Sequence, residues 1–129
     1  YMDHVVAEAR CLGYTTTLRG GRRPLPELAS PNFRLRQTGE RMAQNAPVQG
    51  TAADIFKLAM IGLDRALGGR SMRSRMVLTV HDELVLEVPR DEQDDAVGLI
   101  REVMESAYEL RVPLKVEVAV GLSWADAKA

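Results

Sequence analysis

The spacing of apolar and polar residues divides the chain into helical and extended segments. Apolar residues at helical spacing predict that the first helix ends at Gly13. Asn32 is a candidate cap for the second helix. Pro47 has no backbone donor, so we expect it to end the second helix before a third helix begins near Thr51. The fourth has acidic residues in its first turn. The predicted helices span residues 2–12, 32–46, 51–69 and 91–108.

Short β-forming runs lie between these helices. Residues 14–18 and 22–25 flank Arg19-Gly20-Gly21 and predict a small hairpin. Residues 76–80 and 84–89 predict a second, and residues 114–120 alternate apolar with polar side chains like a half-buried strand. We therefore expect an α+β fold, with an antiparallel sheet of at least three strands formed by the second hairpin and the last strand and covered by helices.

Composition narrows the class of protein. The chain has 129 residues, of which 46% are hydrophobic, enough for one domain with a core. It has no apolar run near the roughly 18 residues needed to cross a bilayer, so no membrane partner is expected. The single cysteine, Cys11, excludes an internal disulfide, and the N-terminus does not resemble a signal peptide. These features predict a cytoplasmic protein.

The net charge of −1 conceals an uneven distribution of charge. Residues 1–75 contain 12 Lys and Arg against 6 Asp and Glu, whereas residues 76–129 contain 5 against 12. The basic residues are densest over residues 19–41, where few aromatic residues are interspersed. This pattern favours contact with a phosphate backbone over stacking on exposed bases.

Two adjacent carboxylates, Asp82 and Glu83, fall where the second hairpin must reverse. Mg²⁺ prefers oxygen ligands, and one or two carboxylates together with substrate phosphates suffice to bind it. The preceding His81 is a poor magnesium ligand because this ion avoids imidazole. Asp is also common in turns for backbone reasons alone, so an ordinary surface turn is the alternative.

Three polar side chains recur at a spacing of four residues in the second helix and just beyond Pro47. Arg41 and Asn45 share one helical face, and Gln49 stays near it if Pro47 bends the chain only mildly. Their donors and acceptors suit the minor-groove acceptors that all base pairs present at similar positions. A plain solvent-exposed face is the alternative interpretation.

Two longer motifs bring these residues together. The segments ERMAQNAPVQGTAAD, residues 40–54, and VHDELVLEVP, residues 80–89, resemble the C-terminal part of family A DNA polymerases of the bacterial DNA polymerase I type. GYTTTL at residues 13–18 and GLSW at residues 121–124 extend the resemblance over essentially the whole chain. The resemblance implies a DNA-directed DNA polymerase that transfers nucleotides from dNTP to a primer 3′ hydroxyl, in DNA replication and repair.

The resemblance also implies roles for individual residues. Asp82 resembles the palm carboxylate that binds two catalytic Mg²⁺ ions, with Glu83 supporting the same metal site. His81 resembles a residue near the primer 3′ end. The family's residues that contact the minor groove of primer-template DNA correspond, by this resemblance, to Arg41, Asn45 and Gln49.

By the same resemblance, residues 1–30 correspond to the end of the fingers, and residues 31–129 correspond to the C-terminal part of the palm. The family's second metal carboxylate, in an Asp-Tyr-Ser motif, and its dNTP-binding helix have no counterpart in the sequence. We therefore expect a fragment that is inactive alone and needs the N-terminal remainder of the polymerase as its partner. The alternatives are a non-catalytic duplex DNA-binding module and an α+β interaction domain.

Overall fold

The computed structural model describes residues 1–128. It divides into two compact units, the first comprising Tyr1–Asp54 and the second beginning at Ile55. We call them the N-terminal unit and the C-terminal unit, and describe each by itself. The domain boundary predicted between residues 30 and 31 concerns functional regions, and it stays a prediction.

The N-terminal unit is built from a helix, a small hairpin and the first half of a long helix. Helix α1 spans Met2–Leu12 and ends at Gly13, whose φ of 79° is a conformation that glycine adopts easily. Strands β1 (Tyr14–Thr16) and β2 (Arg22–Pro24) pair antiparallel, and a 3₁₀ helix follows at Pro26–Ala29. The first helix and hairpin are therefore confirmed. The core of this unit consists of Val6, Ala9, Leu25, Leu28 and Ala43.

Helix α2 spans Phe33–Gly69 and corrects the prediction of two helices. Asn32 caps it as expected, because its side-chain oxygen accepts hydrogen bonds from the amides of Arg34 and Leu35 at 2.9 and 3.4 Å. The helix continues through Pro47. Because Pro47 has no backbone N–H, the helix loses one hydrogen bond at this residue. The neighbouring Ala46 is buried and anchors the chain where the break was expected.

Thr51 was expected to begin a separate helix, and it lies inside α2 instead. Its hydroxyl donates a hydrogen bond to the carbonyl oxygen of Pro47 at 2.5 Å, one turn earlier. The side chain therefore follows the helix rather than capping a new one.

In the C-terminal unit a second hairpin is confirmed. Strand β3 (Arg75–Val80) pairs antiparallel with β4 (Glu83–Glu87), with an irregularity in register between Met76 and Leu78. A 3₁₀ helix at Arg90–Glu92 and helix α3 (Gln93–Glu105) follow, so the predicted fourth helix is confirmed with a shorter extent. Helix α4 spans Trp124–Lys128. The core consists of Leu63, Leu67, Leu99 and Ile100.

The sheet of at least three strands was wrong. In residues 1–128 each sheet has two strands, and residues 114–120 are not assigned to either. Val116 and Val118 still pack against the core, as the alternation predicted. The amide of Val116, however, donates to the Glu105 carboxylate at 3.0 Å. Alternation determines which side chains are buried, whereas a strand also requires a neighbouring backbone to pair with.

A carboxylate fixes the segment that leads into β3. Glu92, whose side chain is 15% exposed, accepts hydrogen bonds from the amides of Arg73 and Ser74 and from the Ser74 hydroxyl at 2.7 Å. The amide of Arg73 is the main influence that lowers the pKa of the Glu92 carboxyl, and the Ser74 hydroxyl adds to it. This network holds the start of the hairpin that carries Asp82.

Within residues 1–128, no helix combines the length and the apolar character needed to cross a membrane.

Candidate functional site

The turn between β3 and β4 consists of two residues, His81 and Asp82, because Val80 pairs directly with Glu83. His81 has a positive φ of 54°, a conformation that is uncommon for residues other than Gly but in which Asn, Asp and His are over-represented. Two-residue hairpins need positive φ at one or both central positions, and the right-handed twist of the strands explains this requirement. The geometry of the turn therefore places His81 in a left-handed conformation immediately before Asp82.

The two carboxylates differ in their surroundings. Asp82 is exposed at the turn, whereas Glu83 is half-buried. Glu83 forms an ion pair with Lys128, with 3.3 Å between Oε1 and Nζ, and Lys128 also lies 5.1 Å from the centre of the Trp124 ring. The Lys128 ammonium therefore partly neutralises Glu83, while no ion pair within residues 1–128 engages Asp82.

The donors fit magnesium in kind but not in number. Asp82 and Glu83 offer the oxygen ligands that Mg²⁺ prefers, and the adjacent His81 adds no suitable atom. No group of three or more His, Cys, Asp or Glu residues within residues 1–128 is arranged to hold a metal ion. Within residues 1–128 the turn alone does not form a metal site, and a metal ion bound here would need further oxygen ligands from other groups.

In the N-terminal unit, the continuous helix brings together the three polar residues predicted to share a face. Arg41, Asn45 and Gln49 are all exposed, and they follow one another at intervals of four residues. At 1.5 Å per residue they extend over about 12 Å of the helix. Ala43 and Ala46, which lie between them in sequence, are buried. The helix therefore presents a row of hydrogen-bonding groups to solvent.

Most arginines of the N-terminal unit have no carboxylate partner. Of its seven arginines only Arg10 forms an ion pair within residues 1–128, with Glu40. Arg22 lies over the ring of Tyr14, 4.7 Å from its centre, in a cation–π contact that leaves the charge uncompensated. The exposed guanidinium groups without a carboxylate are Arg19, Arg22, Arg23, Arg34, Arg36 and Arg41.

Sequence reasoning missed three side chains that join the β1–β2 hairpin to α2. Thr17 donates a hydrogen bond to Asp54, and Thr51 accepts one from the amide of Leu18. The pairing of a hairpin with a distant helix leaves no periodic signal in a sequence. Sequence reasoning also missed the positive φ of His81, although a two-residue turn without glycine is a signal that could have revealed it.

Comparison with known proteins identifies the class to which the fold and these residues belong. A family model described as DNA polymerase family A matches residues 1–126. The chain therefore belongs to DNA polymerase family A, as the resemblance in its motifs implied.

Several relatives are DNA polymerases I. The chain is 51% identical to that of Bacillus caldotenax over 128 residues, which cover 99% of this chain and 15% of the relative. It is 50% identical to the thermostable enzyme of Thermus filiformis over the same shares of the two chains. The chain thus spans about 15% of the length of these relatives.

One solved structure matches the fold closely. It is the POL domain of Pol1 from M. smegmatis in complex with DNA primer-template and dNTP. The TM-score is 0.95 and the identity 51%, and the match covers 100% of this chain and 23% of that chain. The mixed arrangement of helices and two-stranded hairpins is therefore that of part of a polymerase domain.

Proposed function

We propose that the chain is part of a DNA-directed DNA polymerase that adds nucleotides from dNTP to a primer 3′ hydroxyl on a template. The observation that carries the proposal is the family match over residues 1–126, combined with the exposure of Asp82 at a hairpin turn. The solved relative, a POL domain in complex with DNA primer-template and dNTP, supports both ligand classes.

In this proposal the exposed row on α2 binds the primer-template duplex. Arg41 donates hydrogen bonds, and Asn45 and Gln49 can both donate and accept, so the three can reach minor-groove acceptors without reading the sequence. The arginines that lack a carboxylate add attraction for the phosphate backbone. The unbroken helix supports this role because it fixes the spacing of the three side chains.

The metal-binding role is assigned to Asp82, with Glu83 beside it. When bound, Mg²⁺ ions would lower the pKa of the attacking hydroxyl and offset charge on the transferring phosphate, the chemistry of two-metal nucleotidyl transfer. Asp82 supplies an oxygen ligand that needs no conformational change to reach solvent. His81 precedes it in a fixed turn conformation, which suits the proposed position near the primer end.

The incomplete ligand set leads to a second part of the proposal. Because two carboxylates do not complete a two-metal site, residues 1–129 alone should not extend primers at a useful rate. The missing ligand and the dNTP-binding helix would come from the remainder of the polymerase, in which residues 1–30 belong to the fingers and residues 31–129 to the palm. A cytoplasmic location, where the chromosome of a bacterium lies, belongs to the same proposal.

A non-catalytic duplex-binding module is the second candidate, and the arginines without carboxylate partners favour it equally. The two candidates differ in the role of Asp82. A binding module would not need this carboxylate, whereas a polymerase would.

The test is Asp82→Asn in the complete polymerase that carries this chain. Primer extension should fall about a thousandfold or more, because the neutral amide is a poor magnesium ligand, while the affinity for primer-template DNA should stay within about twofold. Extension is followed in single-turnover assays and affinity by fluorescence anisotropy. Asp95→Asn, an exposed carboxylate in the first turn of α3, is the matched control and should leave both unchanged. Normal extension by Asp82→Asn would reject the polymerase role of this residue.

A further inference from the structure

The β1–β2 hairpin is fastened to helix α2 by two hydrogen bonds. The hydroxyl of Thr17 donates to Oδ2 of Asp54 at 2.7 Å, and the amide of Leu18 donates to Oγ1 of Thr51 at 3.1 Å. Thr17 also accepts from the amide of Gly21 at 3.1 Å, so its hydroxyl joins both sides of the hairpin loop. One hydroxyl thus connects the loop to itself and to the helix.

The side chain of Thr17 also lies close to the backbone of α2 at Gly50. A Cβ atom at Gly50 would lie 2.6 Å from Cγ2 of Thr17, closer than real Cβ contacts allow. Gly50 directly follows Gln49, the last residue of the exposed row on α2. The hairpin therefore rests on the helix at one end of the surface proposed to bind the duplex.

The hairpin needs this attachment to hold its arginines in place. Each of its strands has three residues, and a hairpin of two short strands is marginally stable by itself. Arg22 pairs in register with Thr16, and Arg23 with the buried Thr15, while Arg19 lies in the loop. The base of the hairpin is anchored by Leu25, which lies in the same core as Ala43 of α2. The hydrogen bonds of Thr17 and Leu18 therefore fix the loop end of the hairpin, where Arg19 lies and which Arg22 directly follows.

We propose that Thr17, Thr51 and Asp54 are positioning residues that hold the arginine-bearing hairpin against α2, so that the hairpin arginines and the α2 row engage one DNA duplex together. The inference rests on the proposed duplex binding and extends it to the phosphate backbone beside the minor groove. Fixing charged side chains before binding reduces the entropy lost when the complex forms. The hydrogen bonds thus contribute to affinity although none of the three residues touches DNA.

The test uses Thr17→Val in the complete polymerase, a change that keeps the shape of the side chain and removes the hydroxyl. We expect primer-template affinity to fall about three- to tenfold. The slope of log affinity against log salt should also flatten, by about 0.9 for each arginine that no longer reaches a phosphate. Thr17→Ser, which keeps the hydroxyl, should restore both quantities. Thr38→Val is the matched control, because the Thr38 hydroxyl bonds only within α2, to the carbonyl of Arg34.

A double-mutant cycle separates positioning from simple loss of stability. Arg23→Ala should weaken binding in the wild-type background and have a clearly smaller effect in the Thr17→Val background, because the arginine is no longer held in place. Equal effects in both backgrounds, or a wild-type salt slope for Thr17→Val despite a lower melting temperature, would overturn the inference. If Thr17→Val does not fold, Thr51→Val provides the same test by removing the acceptor of the Leu18 amide.

Failure of this inference and failure of the proposed function give different results. If the wild-type polymerase binds no duplex, the proposed function fails and the inference fails with it. If the wild type binds, and Arg41→Ala weakens binding while Thr17→Val does not, the inference alone is rejected.

Discussion

The two units differ in the share of their basic side chains that pair with carboxylates. In the N-terminal unit one arginine of seven forms an ion pair within residues 1–128, that of Arg10 with Glu40. In the C-terminal unit four of the ten basic residues form ion pairs within residues 1–128, namely Arg70, Arg73, Arg75 and Lys128. The N-terminal unit has seven basic and five acidic residues, and the C-terminal unit has ten basic and thirteen acidic residues. Net charge therefore explains only part of the difference in ion pairing between the units.

This difference indicates which charges are available to a ligand. Exposed ion pairs contribute little to stability, but they do occupy the cation, whereas an exposed arginine without a carboxylate remains free to meet a phosphate. In the C-terminal unit the exposed carboxylate of Asp82 is the group of the turn left without such a partner within residues 1–128. The proposed function assigns the free arginines of the N-terminal unit to a polyanion and the free carboxylate of Asp82 to a metal ion.

The largest effect should distinguish the two adjacent carboxylates, that of Asp82 in the turn and that of Glu83 at the start of β4. Asp82→Asn should slow extension about a thousandfold, and Glu83→Gln only about tenfold, because the charge of Glu83 is already partly neutralised by Lys128. Single-turnover extension rates at saturating Mg²⁺ measure both. An equal or larger reduction for Glu83→Gln would show that the free carboxylate is not the more important ligand.

A smaller effect should distinguish free from paired arginines. Arg41→Ala should weaken primer-template binding about tenfold and slow extension from a mispaired primer end, because the variant cannot donate hydrogen bonds to the duplex at this position. Arg75→Ala, whose guanidinium pairs with Glu87 at 2.9 Å, is the matched variant in the C-terminal unit and should leave affinity within about twofold. Fluorescence anisotropy measures both affinities. Equal reductions would contradict the distinction between the units.

The smallest effect concerns the Glu92 network, which fixes the start of the β3–β4 hairpin. The pKa of the Glu92 carboxyl is lowered from its ordinary value of 4.5, chiefly by the amide of Arg73. Its ionised form therefore stabilises the fold above about pH 4.5, and this stabilisation is lost as pH falls through the lowered pKa.

Glu92→Gln should consequently reduce the free energy of unfolding at neutral pH, and the difference from wild type should shrink in acid. Denaturant unfolding at a series of pH values measures it. Asp94→Asn, a nearby exposed carboxylate in α3, serves as the control. A difference that does not change with pH would exclude the charged network as the cause.

Local patterns predicted most of the elements and the hairpin turn. Gly13 and Asn32 marked helix ends because capping depends on residues close in sequence. The prediction of a third strand was wrong, because residues 114–120 pack alternate side chains against the core without pairing their backbone with a strand. The predicted break at Pro47 was wrong, because the helix continues through this residue. The buried Ala46 and the close contact at Gly50 hold the helix on both sides of it.

The residues of the candidate site were recognisable because they lie in two contiguous motifs. The structure adds what contiguity cannot show, namely that Arg41, Asn45 and Gln49 lie on one unbroken helix and that Glu83 is paired with Lys128. The link between Thr17 and Asp54 spans 37 positions in sequence, so no local pattern could predict it.

In the proposed function, Asp82 acts through the metal ion and Arg41 acts through the DNA. The most direct test of this division is single-turnover primer extension on DNA already bound, measured as a function of Mg²⁺ concentration for Asp82→Asn and Arg41→Ala. The account predicts that Arg41→Ala retains the Mg²⁺ dependence of the wild type once DNA is saturating, whereas Asp82→Asn loses extension at every Mg²⁺ concentration. A wild-type rate for Asp82→Asn, or an Mg²⁺ requirement shifted by Arg41→Ala, would contradict it.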